Sequence, residues 1–419
     1  MVVLPLDTVK DLPASVSLHE TEPRGLPLLT RIRRRQVEGS VPSHRALILG
    51  GGFGGIATAV ALRGQLDPAD EVVLVERRPT FVMGLRKNWA VLDPNALIEG
   101  ERPLALLADG GIRVVTGTIG AIHPAQRAVE VDGDRWDADA LVVALGAERD
   151  PDRVPGFREH AIDVYDLTQG DRARTAIEAF TGGRLVIGIF GAPYPCPPAP
   201  FELAMLIDER LRARGIRGAV EVFSPLPLSL PILGQAGCGS FESHLEGAGI
   251  GFLRNHVATA VDDAVVFGEA RRGFDMLLGV PPHRAPTVIT ASGLTGGGPW
   301  VKVDPRTLET GWAGVYAIGD VTALPLANGQ MLPKAGAFAQ AQGEVVAARI
   351  ASTFDGGRPT ATFAGDGTCF LETGGGMAAM VTGGFLADPP AVRLTDRSPE
   401  HFAAKRAFEQ ERLAAWFGA

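Results

Sequence analysis

The sequence predicts an α/β fold of two Rossmann-like domains with a small C-terminal domain. Three observations indicate this fold. A glycine-rich turn at 50–55 lies between an apolar run and a helical pattern, a second buried strand at 184–191 begins a similar unit, and the segment at 314–320 has the form of a third strand that ends in Gly-Asp. A chain of 419 residues has room for two or three such domains.

The net charge argues against a nucleic-acid-binding protein, because the chain has 40 Lys and Arg against 48 Asp and Glu, a formal charge of −8. No stretch reaches the roughly 18–20 unbroken apolar residues of a spanning helix. We therefore expect a cytoplasmic protein, with a peripheral position on the inner face of the membrane as the alternative. Residues 1–43 lack periodicity, and we expect a flexible N-terminal extension there.

The chain has three cysteines, which are too few for a disulfide-rich secreted fold. Their spacing does not fit a zinc site and the eight histidines are scattered, so we predict no metal site. Each cysteine is therefore either a small core residue or a redox group. Cys238 lies in an Ala-Gly-Cys-Gly segment that we expect to pack at the start of a helix without a catalytic role.

The first nucleotide-binding unit begins with the buried strand predicted at 45–49. The glycines that follow occupy the G-x-G-x-x-G positions. The first permits a tight turn, the second lets the backbone approach a pyrophosphate, and the third allows close packing of helix on strand. The helix N terminus then offers free N–H groups to the phosphates. The residues expected to contact the dinucleotide here are Gly50, Gly52, Phe53, Gly54 and Gly55.

A second strand, at 71–75, ends in Glu76, which lies 21 residues beyond Gly55. A carboxylate at that point can hydrogen-bond the ribose hydroxyls of an adenosine. Glu76 and the adjacent Arg77 therefore complete the predicted dinucleotide site. A purely structural βαβ unit is the alternative.

Two later segments distinguish FAD from NAD. The segment 314–320 resembles the second FAD motif of the two-dinucleotide-domain flavoproteins, and 141–147 resembles the strand and glycine turn that leave their first FAD segment. In that family the aspartate of the second motif holds the ribityl chain, which NAD lacks. The resemblance implies that FAD is the cofactor and that Gly146, Gly319 and Asp320 contact it.

The second unit lacks both parts of an NAD signature. Its first strand, at 184–191, is followed by a loop with five prolines at 192–202, which removes backbone N–H groups where phosphates would need them. Its next strand, at 220–223, ends in Ser-Pro and not in a carboxylate. We divide the chain into an FAD-binding domain at 44–155 and 285–352, a second Rossmann-like domain at 156–284, and a C-terminal interface domain at 353–419.

Cys196 lies in the proline-rich loop of this second unit. The default interpretation of a lone cysteine is a small buried hydrophobic residue. This one precedes a helix, whose dipole lowers the pKa of a thiol, and it lies where α/β proteins assemble their sites. We therefore interpret Cys196 as a reactive residue.

The loop sequence Cys-Pro-Pro-Ala-Pro-Phe-Glu at 196–202 resembles the active-site loop of flavocytochrome c sulfide dehydrogenase and of the sulfide:quinone oxidoreductases. The resemblance covers roughly residues 45–385. Cys369 matches the second redox cysteine of that family. The other matching segments are 319–322, 326–329, 332–336 and 367–370.

The resemblance implies that Cys196 and Cys369 form a disulfide near the flavin. Hydrosulfide attacks it, one cysteine becomes a persulfide, the other leaves as a thiolate, and electrons pass to FAD. Which cysteine receives the sulfur stays open. Glu202 is the candidate proton acceptor, with a carboxylate that caps the helix as the equal alternative. Lys334, with the adjacent Ala335, is expected near the pyrimidine end of the flavin, and a surface lysine is the alternative.

Family members pass their electrons to a membrane quinone or to a partner c-type cytochrome, so we expect a quinone or an electron-acceptor protein as partner. The final segment predicts a helix with Ser398 as N-cap and Pro399 at its first position. Its apolar face is interrupted by two charges, which favours packing on the protein or on the second copy of a homodimer over membrane insertion. The apolar residues are Phe402, Leu413, Trp416 and Phe417, and the charged ones are Arg406 and Glu409.

The sequence thus predicts an FAD-dependent oxidoreductase that acts on a small sulfur compound. A flavoprotein similar to type II NADH dehydrogenases is the alternative enzyme. A non-catalytic flavin-binding redox sensor or partner scaffold is the alternative outside enzymes, since a fold does not fix a function.

Overall fold

The computed structural model describes residues 43–418, so the predicted N-terminal extension lies outside the described residues except for Ser43. Residues 43–149 contain three helices and ten strands. These are β1 (Arg45–Leu49), α1 (Phe53–Gln65), β2 (Glu71–Glu76), β3 (Thr80–Val82), α2 (Arg86–Ala90), α3 (Ala96–Gly100), β4 (Glu101–Pro103), β5 (Arg113–Thr116), β6 (Ile119–His123), β7 (Ala128–Val131), β8 (Asp134–Asp137), β9 (Ala140–Val143) and β10 (Glu148–Arg149).

The strand β1 lies between β2 and β9, and all three are parallel. The apolar residues of β1 are buried on both faces of the sheet. Ile48 packs with α1 in one cluster, while Leu47 packs in another with Ile122 and Val129 of the antiparallel strands β6 and β7. Cover on both faces explains why this strand is a continuous apolar run and not an alternating one.

Residues 150–284 form the second unit. Its elements are α4 (Phe157–His160), β11 (Ile162–Asp163), α5 (Gly170–Ala179), β12 (Gly183–Ile189), α6 (Ala199–Ala213), β13 (Gly218–Phe223), α7 (Gly234–Gly247), β14 (Gly251–Leu253), β15 (Ala260–Val261), β16 (Ala264–Phe267), β17 (Ala270–Gly273), β18 (Met276–Val280) and β19 (His283–Arg284). Five of the strands make a parallel sheet in the order β11-β18-β12-β13-β14. The chain enters and leaves this unit through an antiparallel pair, β10 and β19.

Residues 285–354 return to the first sheet. Their elements are α8 (Thr287–Ala291), β20 (Val301–Lys302), β21 (Val315–Ala317), β22 (Thr322–Ala323) and α9 (Gly336–Phe354). The strand β21 pairs with β9 in parallel, which completes a five-stranded sheet in the order β21-β9-β1-β2-β5. The predicted α/β fold with two Rossmann-like sheets is confirmed. The helix α9 lies tightly on α1, since a Cβ atom on Gly343 would be only 2.7 Å from the carbonyl oxygen of Gly54.

The C-terminal part is a three-stranded antiparallel sheet followed by a long helix. Its elements are β23 (Asp366–Gly374), β24 (Met377–Gly384), β25 (Ala391–Leu394) and α10 (Pro399–Phe417). As predicted, Ser398 caps α10, because its side chain accepts a hydrogen bond from the N–H of His401 at 3.2 Å. The rings of Trp416 and Phe53 lie edge to face, 5.5 Å apart, so the helix packs on its own chain.

The buried face of α10 differs from the predicted one. Arg406 is exposed, and Phe402 and Phe417 are only half-buried. The buried positions are Lys405, Glu409, Leu413 and Trp416. Glu409 is buried because it forms an ion pair with Arg86 of α2. Among the residues that the structure describes, no helix has the length and apolar character needed to cross a bilayer.

Candidate functional site

The glycine turn after β1 is open on one side. Gly50 has a φ of +105°, and a Cβ atom there would lie 2.4 Å from the carbonyl oxygen of Ala144. A Cβ atom on Gly55 would lie 1.8 Å from the carbonyl oxygen of Gly50. Apart from its chain neighbours, no residue in the described range 43–418 lies within 4 Å of the Cβ position of Gly52. The protein's own backbone therefore requires two of the glycines, and the open space at Gly52 fits the pyrophosphate of FAD.

Glu76 lies at the rim of this turn. Its Oε2 accepts a hydrogen bond from the N–H of Gly51 at 2.8 Å, and its position at the end of β2 is the one that ribose recognition needs. Arg77, which follows, is exposed. Phe53 packs against Phe81 and Trp416. Gly54 faces α9, because a Cβ atom on it would lie 3.1 Å from the carbonyl oxygen of Ala339.

The two other FAD landmarks follow the neighbouring strands. Gly146 lies after β9 and Gly319 after β21, and their φ angles are +68° and +70°. The N–H of Gly319 donates to Gln342 Oε1 at 2.7 Å. Burial raises the pKa of Asp320, an effect that the charges of Lys334 and Lys87 oppose. Since β1, β9 and β21 are parallel neighbours, all three turns lie at one edge of the sheet, where α/β folds bind their cofactors.

Lys334 is buried at this edge and is not a surface lysine. Its Nζ lies 3.6 Å from the centroid of the Trp300 ring and donates to the carbonyl oxygen of Thr322 at 2.9 Å and to that of Asp320 at 2.5 Å. Burial lowers its pKa to about 8. The carbonyl oxygen of Lys334 in turn accepts a hydrogen bond from the N–H of Cys196 at 2.6 Å. Ala335 follows as the N-cap of α9. Lys334 therefore joins the cysteine loop to the Asp320 turn.

Cys196 occupies a strained backbone position between β12 and α6. Its φ is +52°, a region that costs a residue other than glycine on the order of 1–3 kcal/mol. The hydroxyl of Tyr165 donates to the carbonyl oxygens of Pro195 at 2.8 Å and of Cys196 at 3.2 Å, and these bonds hold the loop together with the bond to Lys334. The surrounding structure thus imposes a conformation that the cysteine alone would avoid.

The expectation of a lowered thiol pKa at Cys196 is wrong. Burial raises the pKa of this thiol to about 12, the charges of Glu202 and Cys369 act in the same direction, and Lys405 and Lys87 oppose them. The helix α6 begins only at Ala199, so the cysteine precedes the first turn, and a helix dipole acts over a short distance. Loss of hydration therefore outweighs the dipole at this position.

Cys369 lies in β23, opposite Val381 of β24. Burial, followed by the charge of Glu202, raises the pKa of this thiol to about 12 as well. Both cysteines are free thiols in this structure. The segments of the two cysteines are in direct contact, because Glu202, six residues after Cys196, accepts a hydrogen bond from the N–H of Glu372, three residues after Cys369. Glu202 also acts on the pKa of both thiols.

Glu202 belongs to a buried network that the sequence did not predict. Its Oε1 accepts from the N–H of Glu372 at 2.6 Å and from Lys405 Nζ at 2.9 Å, and its Oε2 accepts from Asn88 Nδ2 at 3.1 Å. Lys405 also donates to Glu372 Oε2 at 2.8 Å, as does Trp89 Nε1 at the same distance. Glu202 does lie in the first turn of α6, but no side chain makes a capping hydrogen bond there. Its position in the first turn agrees with the alternative of a carboxylate at the helix start, while its hydrogen bonds run to other elements.

The remaining sequence predictions concern residues away from this cluster. Cys238 is fully buried in α7, and its thiol donates to the carbonyl oxygen of Leu230 at 3.0 Å. The strand β13 ends at Phe223 and Ser224 follows, so this strand supplies no carboxylate for a ribose. In the described range 43–418, no group of three His, Cys, Asp or Glu side chains is placed to hold a metal ion.

The raised thiol pKa values predict slow alkylation of the reduced protein. We expect iodoacetamide to react with Cys196 and Cys369 slowly at neutral pH and faster at each alkaline step up to about pH 12, because the thiolate is the nucleophile. Mass spectrometry of both cysteine peptides after timed alkylation measures this. A rate that is half-maximal near pH 8.5 and constant above about pH 10, as for an exposed thiol, would contradict the raised pKa values.

Comparisons with known proteins agree with this geometry. Residues 39–194 match the family model of pyridine nucleotide-disulphide oxidoreductases. The mitochondrial sulfide:quinone oxidoreductase of Mus musculus is 23% identical over 376 residues, which cover 85% of this chain and 82% of the relative. A type II NADH:quinone oxidoreductase of Staphylococcus saprophyticus is 22% identical over 352 residues, which cover 76% and 84%.

The fold is similar to that of the sulfide:quinone oxidoreductase of Aquifex aeolicus, with a TM-score of 0.80, 20% identity, and coverage of 89% of this chain and 91% of that chain. The chain is an FAD-dependent oxidoreductase of the class with two dinucleotide-binding domains. Within that class it is similar to the sulfide:quinone oxidoreductases, which confirms the family resemblance inferred from the sequence.

Proposed function

We propose that this protein oxidises sulfide, or a persulfide, through a disulfide between Cys196 and Cys369 and passes the electrons through FAD to a quinone or another acceptor. The observation that carries the proposal is the grouping of the two cysteines. Both thiols are influenced by Glu202, and the backbone N–H of Cys196 is bonded to Lys334, whose ammonium group bonds the Asp320 turn. These bonds, which join the Cys196 loop to the edge of the sheet that fits FAD, support the proposal. The names of the mouse and Aquifex relatives support a sulfide donor and a quinone acceptor.

The proposed chemistry begins on the disulfide. The sulfur of hydrosulfide bonds to one cysteine sulfur, the S–S bond breaks, and the other cysteine leaves with the bonding electron pair as a thiolate. A small thiolate then takes the outer sulfur of the persulfide and frees the second cysteine. When the disulfide forms again, the two cysteines release two electrons. FAD, when bound, supplies the two-electron acceptor and delivers the electrons to the quinone.

The partial burial of the two cysteines favours this direction of electron flow. A disulfide is a strong oxidant when its reduced form is stabilised as a thiolate, and the opposite holds when the thiolate is destabilised. Burial and Glu202 disfavour the thiolate at both cysteines. The reduced pair is therefore a good electron donor, which is what the proposed reaction needs. The strained backbone of Cys196 fixes the loop for this exchange.

Glu202 has a narrower role in this proposal than free proton acceptor. A carboxylate has about four acceptor positions, and three of those on Glu202 are taken by Glu372, Lys405 and Asn88. One position remains for a proton released during the exchange. The main effect of Glu202 is its fixed negative charge beside the two thiols.

A second candidate function is oxidation of NADH, which the similarity to a type II NADH:quinone oxidoreductase favours. The second unit gives it little support, because β13 ends without a carboxylate and prolines occupy the loop after β12. The third candidate, a non-catalytic sensor or scaffold, requires that neither donor reduces the flavin.

Anaerobic mixing of the FAD-loaded protein with each donor separates these candidates. We expect sulfide to bleach the flavin absorbance within seconds and NADH to leave it unchanged, because only the cysteine pair offers a route for electrons. Bleaching by NADH and not by sulfide would replace the proposal with the NADH candidate, and no bleaching by either would leave the sensor. Adding a soluble quinone afterwards should restore the yellow colour if a quinone is the acceptor.

A further inference from the structure

Lys405 is the most deeply buried cation among the described residues that ion-pair, with 1% of its side chain exposed. Its Nζ lies between two carboxylates, 2.9 Å from Glu202 Oε1 and 2.8 Å from Glu372 Oε2, and 5.3 Å from the centroid of the Trp89 ring. Burial works against the charged form, but the two carboxylates hold the pKa of Lys405 above its usual value. This lysine is therefore a permanent charge in the interior.

The two carboxylates belong to the two segments that carry the cysteines. Glu202 follows Cys196 by six residues at the start of α6, and Glu372 follows Cys369 by three residues in β23. Lys405, from α10, is bonded to both. The two segments are also bonded directly, since the N–H of Glu372 donates to Glu202 Oε1. The ammonium group of Lys405 is thus the common partner of both cysteine segments.

We propose that Lys405 is the positioning residue of the cysteine pair: it holds the strand of Cys369 against the loop of Cys196 and offsets the negative charge of Glu202 beside both thiols. The inference rests on the proposed role of the two cysteines. It concerns the geometry and the charge of the pair, and so it can be measured without any sulfur substrate.

The charges around the thiols give the proposal a directional test. Glu202, Cys369, Lys405 and Lys87 act on Cys196, and Glu202 acts on Cys369. Two carboxylates and one ammonium leave one excess negative charge in the network. Lys405→Met leaves two, whereas Glu202→Gln leaves none. The first change disfavours the thiolate further, and the second favours it.

The experiment is alkylation of the FAD-loaded protein after reduction with a phosphine, at a fixed alkaline pH, with the Cys196 peptide quantified by mass spectrometry. We expect Lys405→Met to slow alkylation about tenfold and Glu202→Gln to speed it about tenfold, as a shift of one pKa unit would do in each case. Mere loosening of the packing would expose the thiol and speed alkylation in both variants. Opposite signs therefore support the charge argument.

The chain offers a matched control one helical turn away. Glu409 is also buried in α10 and pairs with Arg86, but neither residue is among the main charges that act on the thiols. Glu409→Gln should lower thermal stability without changing the alkylation rate. Lys405→Arg should keep most of the wild-type rate. If Lys405→Met does not fold, the double variant Lys405→Met/Glu372→Gln replaces it, because it keeps the net charge of the network. In air, this variant should form the Cys196–Cys369 disulfide at least about tenfold more slowly than the wild-type protein.

Three results would overturn the inference: unchanged alkylation in Lys405→Met, alkylation that changes in the same direction in Lys405→Met and Glu202→Gln, or an equal effect of Glu409→Gln. Failure of the proposed function would give a different set of results. If sulfide does not bleach the flavin of the wild-type protein while the two network variants still shift alkylation in opposite directions, the positioning role stands and only the sulfur substrate is rejected.

Discussion

Replacing Cys196 by serine is expected to lower sulfide-dependent quinone reduction by at least about a thousandfold while FAD stays bound. A hydroxyl cannot form the disulfide that hydrosulfide attacks, so the variant has no electrophilic sulfur. Cys369→Ser should lose activity to the same extent, because each cysteine supplies one sulfur of the proposed disulfide. The measurement is kcat/KM for sulfide with a soluble quinone, together with the FAD content of each purified variant.

Cys238→Ser is the matched control for these two variants. Its thiol is buried in α7, far along the chain from either redox cysteine, and donates to the carbonyl oxygen of Leu230, a bond that a serine hydroxyl can also make. We expect activity close to that of the wild-type protein. Retention of most of the activity in Cys196→Ser or Cys369→Ser would reject the disulfide mechanism, whatever the control shows.

The parts of the fold that rest on local patterns could be predicted from the sequence. The strand β1, the glycine turn and α1 are contiguous, and the closing strand β21 was predicted from its own motif, so each needs only short-range information. The cap of α10 was predicted for the same reason, because Ser398 and Pro399 act within one turn. The sequence assigned 285–352 to the FAD-binding domain, but the parallel pairing of β21 with β9 was not predicted.

The parts of the site that rest on tertiary pairing could not be predicted. Lys405 and Glu202 are 203 residues apart in the chain. A lysine in a helix with many polar residues is normally expected to be exposed to solvent. A signal did exist, since Lys405, Glu409 and Leu413 recur at helical spacing on the buried face. We interpreted Arg406 and Glu409 as interruptions of an apolar face and did not consider Lys405. In the structure, Lys405 and Glu409 are part of the buried face itself.

The thiol pKa illustrates a second limit. The sequence indicates that Cys196 precedes a helix, and a helix dipole lowers the pKa of a thiol. It does not indicate how much hydration the thiol loses or that Glu202 and Cys369 act on it. These effects decide whether the pKa of Cys196 rises or falls. In the proposed mechanism, reactivity therefore depends on a disulfide that is attacked and not on a cysteine that is already ionised.

Gly52→Ala is expected to abolish FAD retention without unfolding the protein. The φ of Gly52 is −90°, which alanine tolerates, and among the described residues none beyond its chain neighbours lies within 4 Å of the added methyl group. The methyl group would instead occupy the space that the pyrophosphate needs, and we expect FAD affinity to fall on the order of a hundredfold. Flavin content after purification and a flavin fluorescence titration measure this. Wild-type affinity in this variant would mean that the pyrophosphate does not cross the turn at this point.

Substitutions at two further glycines distinguish an effect on cofactor binding from an effect on folding. In Gly55→Ala the methyl group would lie 1.8 Å from the carbonyl oxygen of Gly50, so the helix must move away from the strand, at a cost on the order of 3 kcal/mol. That variant should lose thermal stability and FAD together. Gly64→Ala, in the same helix with open space at its Cβ position, should gain roughly 1 kcal/mol and keep FAD. Because Gly52→Ala alone should lose FAD at nearly unchanged stability, the three variants together distinguish a binding glycine from a folding one.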